Sequence, residues 1–83
     1  MEKFTVELVV SNYSGVLNRI TGLYAKRGYN IDSLYVTETE NPQISRILIT
    51  SKGDEYIRTQ TVRQLEKLYD VQKVVLMAQI DRI

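Results

Sequence analysis

Six segments in the order strand, helix, strand, strand, helix, strand predict an α+β fold, a ferredoxin-like βαββαβ sandwich. It would have a four-stranded antiparallel-type sheet with both helices on one face. Three observations carry this expectation. Apolar residues alternate at the start of the chain, they recur at helical spacing in two later stretches, and a Pro-containing turn separates two adjacent β-rich runs.

Phe4, Val6, Leu8 and Val10 alternate with Thr5, Glu7 and Ser11, which is the period of a half-buried strand. Asn12 and Ser14 are turn and cap residue types. Val16, Leu17, Ile20, Leu23 and Tyr24 then form one apolar helical stripe. Lys26 and Arg27 suit the negative end of that helix, and Gly28 suits a left-handed C-terminal cap. A second strand is expected from about Asn30 to Glu38, with Leu34 and Val36 on one face. Glu40-Asn41-Pro42 marks the turn into a third strand, Ile44 to Ser51. Lys52-Gly53 ends that strand and Asp54 caps a second helix, with Ile57, Thr61, Leu65 and Leu68 on its inner side. Val71 to Ile80 reads as the last strand. The simplest closure makes strands one and three central and parallel, with strands two and four at the edges.

Composition narrows the function. The 83 residues suffice for one domain with a thin core. There is no Cys and no His, which removes thiol nucleophiles, disulfides, soft-metal sites and the usual neutral-pH proton carrier. A formal net charge of +1 with interspersed signs argues against a nucleic-acid or membrane surface. No apolar run approaches the roughly 20 residues of a membrane span, and the opening Met1-Glu2-Lys3 enters a strand directly rather than a secretory leader. A cytoplasmic location is the expectation.

The last strand is apolar on both faces, with Val71, Val75 and Met77 on one and Val74, Leu76 and Ala78 on the other. Two helices cover a single sheet face, and the second strand leaves an open edge. These features predict a homodimer or higher homo-oligomer with second strands side by side, and a further protein partner. Scattered surface hydrophobes are the simpler reading.

The stretch from Asn12 to Ile31 is the candidate site. A Gly-containing turn opens the first helix, and a helix start exposes N–H groups that favour a carboxylate. Gly15 either lets a ligand approach the N–H groups of Gly15, Val16 and Leu17 or eases a tight turn. Asn12 either holds the polar atoms of an amino acid or forms an Asx-turn. Asn30 either reaches a ligand across a dimer seam or fits the bend after Gly28. Gly22, one turn after Asn18, permits close approach of a partner or of the sheet beneath. Glu38, Glu40, Asp54 and Glu55 have ordinary surface or capping roles, and Arg46 is placed to pair with Glu7. Tyr24, Tyr35 and Tyr69 fit core or interface positions.

Asn12-Tyr13-Ser14-Gly15-Val16-Leu17, Arg19, Gly22-Leu23 and Arg27-Gly28-Tyr29-Asn30-Ile31-Asp32-Ser33-Leu34 closely resemble the ACT domain of acetolactate (acetohydroxyacid) synthase small subunits. Ser45-Arg46, Gly53-Asp54 and Gln64-Leu65-Glu66-Lys67-Leu68-Tyr69-Asp70-Val71 continue a match that covers nearly the whole chain. The resemblance implies a non-catalytic regulatory subunit for branched-chain amino acid biosynthesis. It would bind the catalytic large subunit, raise its activity and confer feedback inhibition by valine. Thiamine diphosphate, Mg2+ and FAD would sit on the large subunit, which joins pyruvate to a second 2-keto acid, and no cofactor on this chain.

The resemblance also places valine at the ACT dimer interface. It implies Asn12 and Gly15 from one chain and Asn30 from the other, with Ser14, Val16, Leu17 and Ile31 as wall residues. Residues 1–83 would form a single ACT domain without the second C-terminal domain of long family members. Short members that lack the valine response also lose the Asn–Gly pattern that this chain keeps. Two alternatives from other classes are a generic amino-acid-sensing module for another enzyme and a small acylphosphatase-like enzyme. The second would need an Arg over a phosphate-binding loop, and Arg19 falls within the helix.

Overall fold

The computed structural model describes residues 2–11 and 15–77. Its elements are β1 (Lys3–Ser11), α1 (Val16–Arg27), β2 (Ser33–Glu38), β3 (Ile44–Lys52), α2 (Glu55–Glu66) and β4 (Val71–Leu76). The sheet order is β2-β3-β1-β4, so the predicted edges and centre are found. The two central strands are antiparallel, not parallel as expected: Lys3 pairs with Lys52 and Ser11 with Ile44. The physical reason is that β1 and β2, joined through α1, run the same way across the sheet, and the β2–β3 turn then reverses the chain, so β3 runs against both.

The alternation in β1 does what its period requires. Phe4, Val6, Leu8 and Val10 are buried on the helix face, with Ile47 and Ile49 of β3 beside them. Val16, Ile20 and Tyr24 of α1 and Leu65 of α2 close the same core. Each large aliphatic side chain buried there contributes about 1.5–3 kcal/mol. Asp54 caps α2 as predicted, its carboxylate accepting the Ile57 N–H at 2.9 Å. Gly28 caps α1 in the left-handed region at φ 72°.

Two boundaries differ from expectation. β2 starts at Ser33, not Asn30, because the three preceding residues form the bend that follows the Gly28 cap. In β4 a bulge against Val9 and Val10 inserts Gln72, so that Val10 pairs with Val71 but Val9 with Lys73. The extra residue turns Val71 onto the core side with Val74, rather than onto the Val75 side. Ala78 to Ile80, expected to extend this strand, lie outside the described residues.

Among the described residues no helix lies over the opposite sheet face. Tyr35, Leu48, Glu7 and Val75 form one row across it, and Thr37, Arg46, Val9 and Lys73 the next. The predicted Arg46–Glu7 pair is present there at 2.8 Å.

Candidate functional site

β1 delivers the chain to the start of α1 through residues 12–14. Asn12 and Ser14, two of the expected ligand residues, lie outside the described residues. Gly15 is the N-cap of α1, with φ 92° and ψ −13°, and no side-chain cap bond is present among the described residues. Its carbonyl accepts the Arg19 N–H at 3.0 Å, which starts the helical ladder. The first helical N–H groups have no intrahelical acceptor, and the helix dipole adds partial positive charge there. The first turn of α1 holds no acidic side chain that would compete for them. The end of the helix is thus suited to an anion.

Val16 and Leu17 divide at this point. The Val16 side chain is buried in the core, so what it can offer a ligand is its N–H. The Leu17 side chain is exposed and can form an apolar wall. Gly22 lies on the outer side of α1, where an added methyl would meet no atom within 4 Å, so close approach of the sheet does not explain it.

Asn30 and Ile31 lie in the bend after Gly28, both exposed. Backbone bonds fix this bend at both ends. Gly28 N–H reaches Ala25 O at 3.2 Å, Tyr29 N–H reaches Tyr24 O at 2.9 Å, and Asp32 N–H reaches Thr50 O at 2.7 Å. Lys3 and Lys52 stand 4.0 and 3.9 Å from the Asp32 carboxylate. Asn30 and Gly15 therefore flank opposite ends of α1, whose 12 residues span about 18 Å. One chain does not bring the two halves of the expected site together.

The geometry of β2 offers a way to do so. β2 pairs with β3 on one side and forms the outer edge on the other. Val36 on this edge is 51% exposed, and Tyr35 is exposed beside it. A second copy pairing antiparallel along β2 would carry its own Asn30–Ile31 bend toward the Gly15 end of the first copy.

Sequence patterning did not single out one pair beside the turn. Arg19 Nε and Nη2 both approach Asp70 Oδ2 at 2.5 Å, and Asp70 is buried. The spacing of Arg19 four residues after Gly15 puts it over the turn, but its partner is 51 residues away and invisible to local pattern. Of the tyrosines, Tyr24 is in the core, whereas Tyr35 and Tyr69 are exposed, Tyr69 at 94%. Burial pushes the Tyr24 phenol well above its usual range, with the Ser51 hydroxyl a partial offset. Neither hydroxyl has a well-formed hydrogen bond among the described residues.

A separate concavity of about 590 Å³ lies on the open sheet face beside the β2–β3 turn, lined by Val9, Glu38, Glu40, Ile44 and Arg46 among others. It is broad and open to solvent, and none of the expected ligand residues among the described ones borders it. Among the described residues no cluster of acidic, His or Cys side chains is arranged to hold a metal. No described helix is long and apolar enough to cross a membrane.

Strand order, helix placement and a glycine-opened helix start define a ferredoxin-like α+β domain with an anion-suited turn and one open sheet edge. Residues 6–73 match the family model described as the AHAS small subunit-like ACT domain, where AHAS is acetohydroxyacid synthase; the chain belongs to that family. It is 43% identical over 74 residues to the acetolactate synthase isozyme 3 small subunit of Escherichia coli, covering 89% of this chain and 45% of that protein. It is equally similar, at 43%, to acetolactate synthase small subunit 2, chloroplastic, of Arabidopsis thaliana, covering 16% of that longer protein. The crystal structure of the acetolactate synthase small subunit from Thermotoga maritima superposes with a TM-score of 0.85 at 38% identity, covering 92% of this chain and 47% of that one. The chain spans about half the length of the bacterial relatives it matches. The ACT domain from GTP pyrophosphokinase of Chlorobium tepidum shares the fold at a TM-score of 0.78 and 18% identity.

Proposed function

We propose that this chain is the effector-sensing ACT module of an acetolactate synthase regulatory subunit. Two copies pair along β2, and valine binds at each end of the seam. The Gly15–Leu17 N–H groups take its carboxylate, while Asn12 of one chain and Asn30 of the other take its polar atoms. Leu17 and Ile31 border its isopropyl group, with Ser14 as a further wall residue. The observation that carries this reading is the left-handed Gly15 at a helix start that no described side chain caps, with the Asn30–Ile31 bend displaced to the far end of the same helix.

Binding across the seam alters the geometry or stiffness of the pair, and the catalytic large subunit responds by preferring one state. Coupling of this kind is reciprocal and typically worth about 1–3 kcal/mol. Catalysis and its thiamine diphosphate, Mg2+ and FAD belong to the large subunit, and the complex works in the cytoplasm. Discrimination among valine, leucine and isoleucine is modest, since one methylene is worth about 1–3 kcal/mol.

Gly15→Asp tests the reading. It sets a carboxylate where the ligand's carboxylate belongs, while Asp tolerates the left-handed region better than most residues. Calorimetry should show valine binding abolished with circular dichroism unchanged. Unchanged valine affinity would remove the site from this turn. Failure of the wild-type chain to co-purify with a thiamine-dependent large subunit would instead favour a sensor for another enzyme.

A further inference from the structure

Asp70 sits in the connection between α2 and β4 with 4% of its surface exposed. A carboxylate so placed is costly unless paired. Arg19 supplies the pairing through Nε and Nη2, both on Oδ2. The Asp70 main chain is engaged as well, its carbonyl accepting the Ser11 N–H at 3.0 Å. Ser11 is the last residue of β1, and Arg19 lies one turn into α1. One residue thus grips the chain on both sides of residues 12–15, by its backbone on the incoming strand and by its side chain on the outgoing helix. Arg19 Nη1 in turn lies against Gly15, 3.3 Å from where a Cβ would stand.

The position of this pair matters as much as its strength. Asp70 leads into β4, at the opposite edge of the sheet from β2. A ligand at the β2 seam would meet the α1 N-terminus from one side while Asp70 holds it from the other.

We propose that Arg19 and Asp70 are positioning residues for the effector turn, clamping β1 and α1 so that the first-turn amides are preorganised and making the α2–β4 connection respond to occupancy. Taking valine as the effector rests on the function proposed above, but the clamp is also readable without ligand. Preorganisation raises affinity by removing the ordering cost of binding. Loosening the pair therefore weakens binding without removing any ligand contact.

The test uses Arg19→Gln, the isosteric Asp70→Asn, and Arg19→Lys as the charge-retaining variant, all in the full chain. Amide hydrogen exchange reads Ser11 and Ile20 beside the turn against Val6 and Ile49 at the sheet centre, and calorimetry reads valine affinity. For Arg19→Gln and Asp70→Asn the expectation is exchange about tenfold faster at Ser11 and Ile20, within about twofold at Val6 and Ile49, and valine binding about tenfold weaker. Arg19→Lys should recover part of both. Equal acceleration at the sheet centre would make the pair a general stability element and overturn the proposal. Unchanged turn amides would overturn it too, as would loosened turn amides with unchanged valine affinity. Should the wild-type chain bind no valine while the local exchange pattern appears, the effector reading fails and the clamp stands.

Discussion

Replacing Gly15 and Gly28 by Ala in parallel separates two contributions at the candidate site. Both glycines have positive φ, 92° and 72°. An L-residue held there costs about 1–2 kcal/mol. A methyl at Gly28 meets no atom within 4 Å, so Gly28→Ala should show that conformational cost alone. A methyl at Gly15 stands 3.3 Å from Arg19 Nη1, tighter than ordinary contact, and the guanidinium must shift by a few tenths of an ångström. That shift strains the charge-assisted bonds to Asp70, and such bonds are worth about 1.5–3 kcal/mol. Losing part of this adds about 0.5–1.5 kcal/mol, so Gly15→Ala should cost about 1.5–3.5 kcal/mol in all.

Urea unfolding at one fixed protomer concentration measures both variants, since pairing would otherwise shift the midpoint. In the Arg19→Gln background the added cost of Gly15→Ala should disappear, giving a coupling of about 0.5–1.5 kcal/mol. Equal costs at the two glycines together with no coupling would refute the assigned contact between Arg19 and the turn.

Val36→Asp places a carboxylate in the proposed β2 seam while leaving a half-exposed position of the single chain; the dimer should weaken roughly a hundredfold by sedimentation, since like charges across an interface cost several kcal/mol. An unchanged association constant would put the interface elsewhere. Asp54→Ala removes the acceptor for the Ile57 N–H and should lower stability by about 1 kcal/mol in urea, with no effect on valine affinity. Tyr24→Phe deletes a buried hydroxyl with no well-formed hydrogen bond among the described residues and should change stability by less than about 1 kcal/mol at pH 8. Because burial raises the Tyr24 phenol in the folded chain, its contribution is complete below pH ~10 and is lost as pH rises further. The Tyr24→Phe midpoint should therefore fall less between pH 8 and pH 11 than that of the wild type, and equal falls would contradict that origin.

The fold was largely legible because its signals are local. Period two in Phe4–Val10 and helical spacing from Val16 to Tyr24 follow from the geometry of strands and helices, and Gly28 and Asp54 act within one turn of their own positions. A parallel centre for β1 and β3 does not follow from the pattern: a helical crossover leaves β1 and β2 running the same way, and the Glu40–Pro42 turn then sets β3 against both. The bulge at Gln72 was not legible, because it arises from register against β1 rather than from the residues of β4. The site divides the same way. Gly15 announced itself by position, whereas Asp70 reads as an ordinary turn carboxylate until the fold sets it beneath Arg19. The separation of Gly15 from Asn30 emerges only once α1 is given its length and direction.

The central claim, a shared site built from two chains, is tested most directly by mixing. Gly15→Asp and Asn30→Ala each disable one half of every site in their own dimers. In a mixed dimer of the two, one site carries both changes and the other carries neither. Random exchange of equal amounts should therefore restore about one quarter of the wild-type valine capacity in calorimetry, with neither variant binding alone. No recovery on mixing, with exchange of chains verified, would contradict a site shared across the β2 seam.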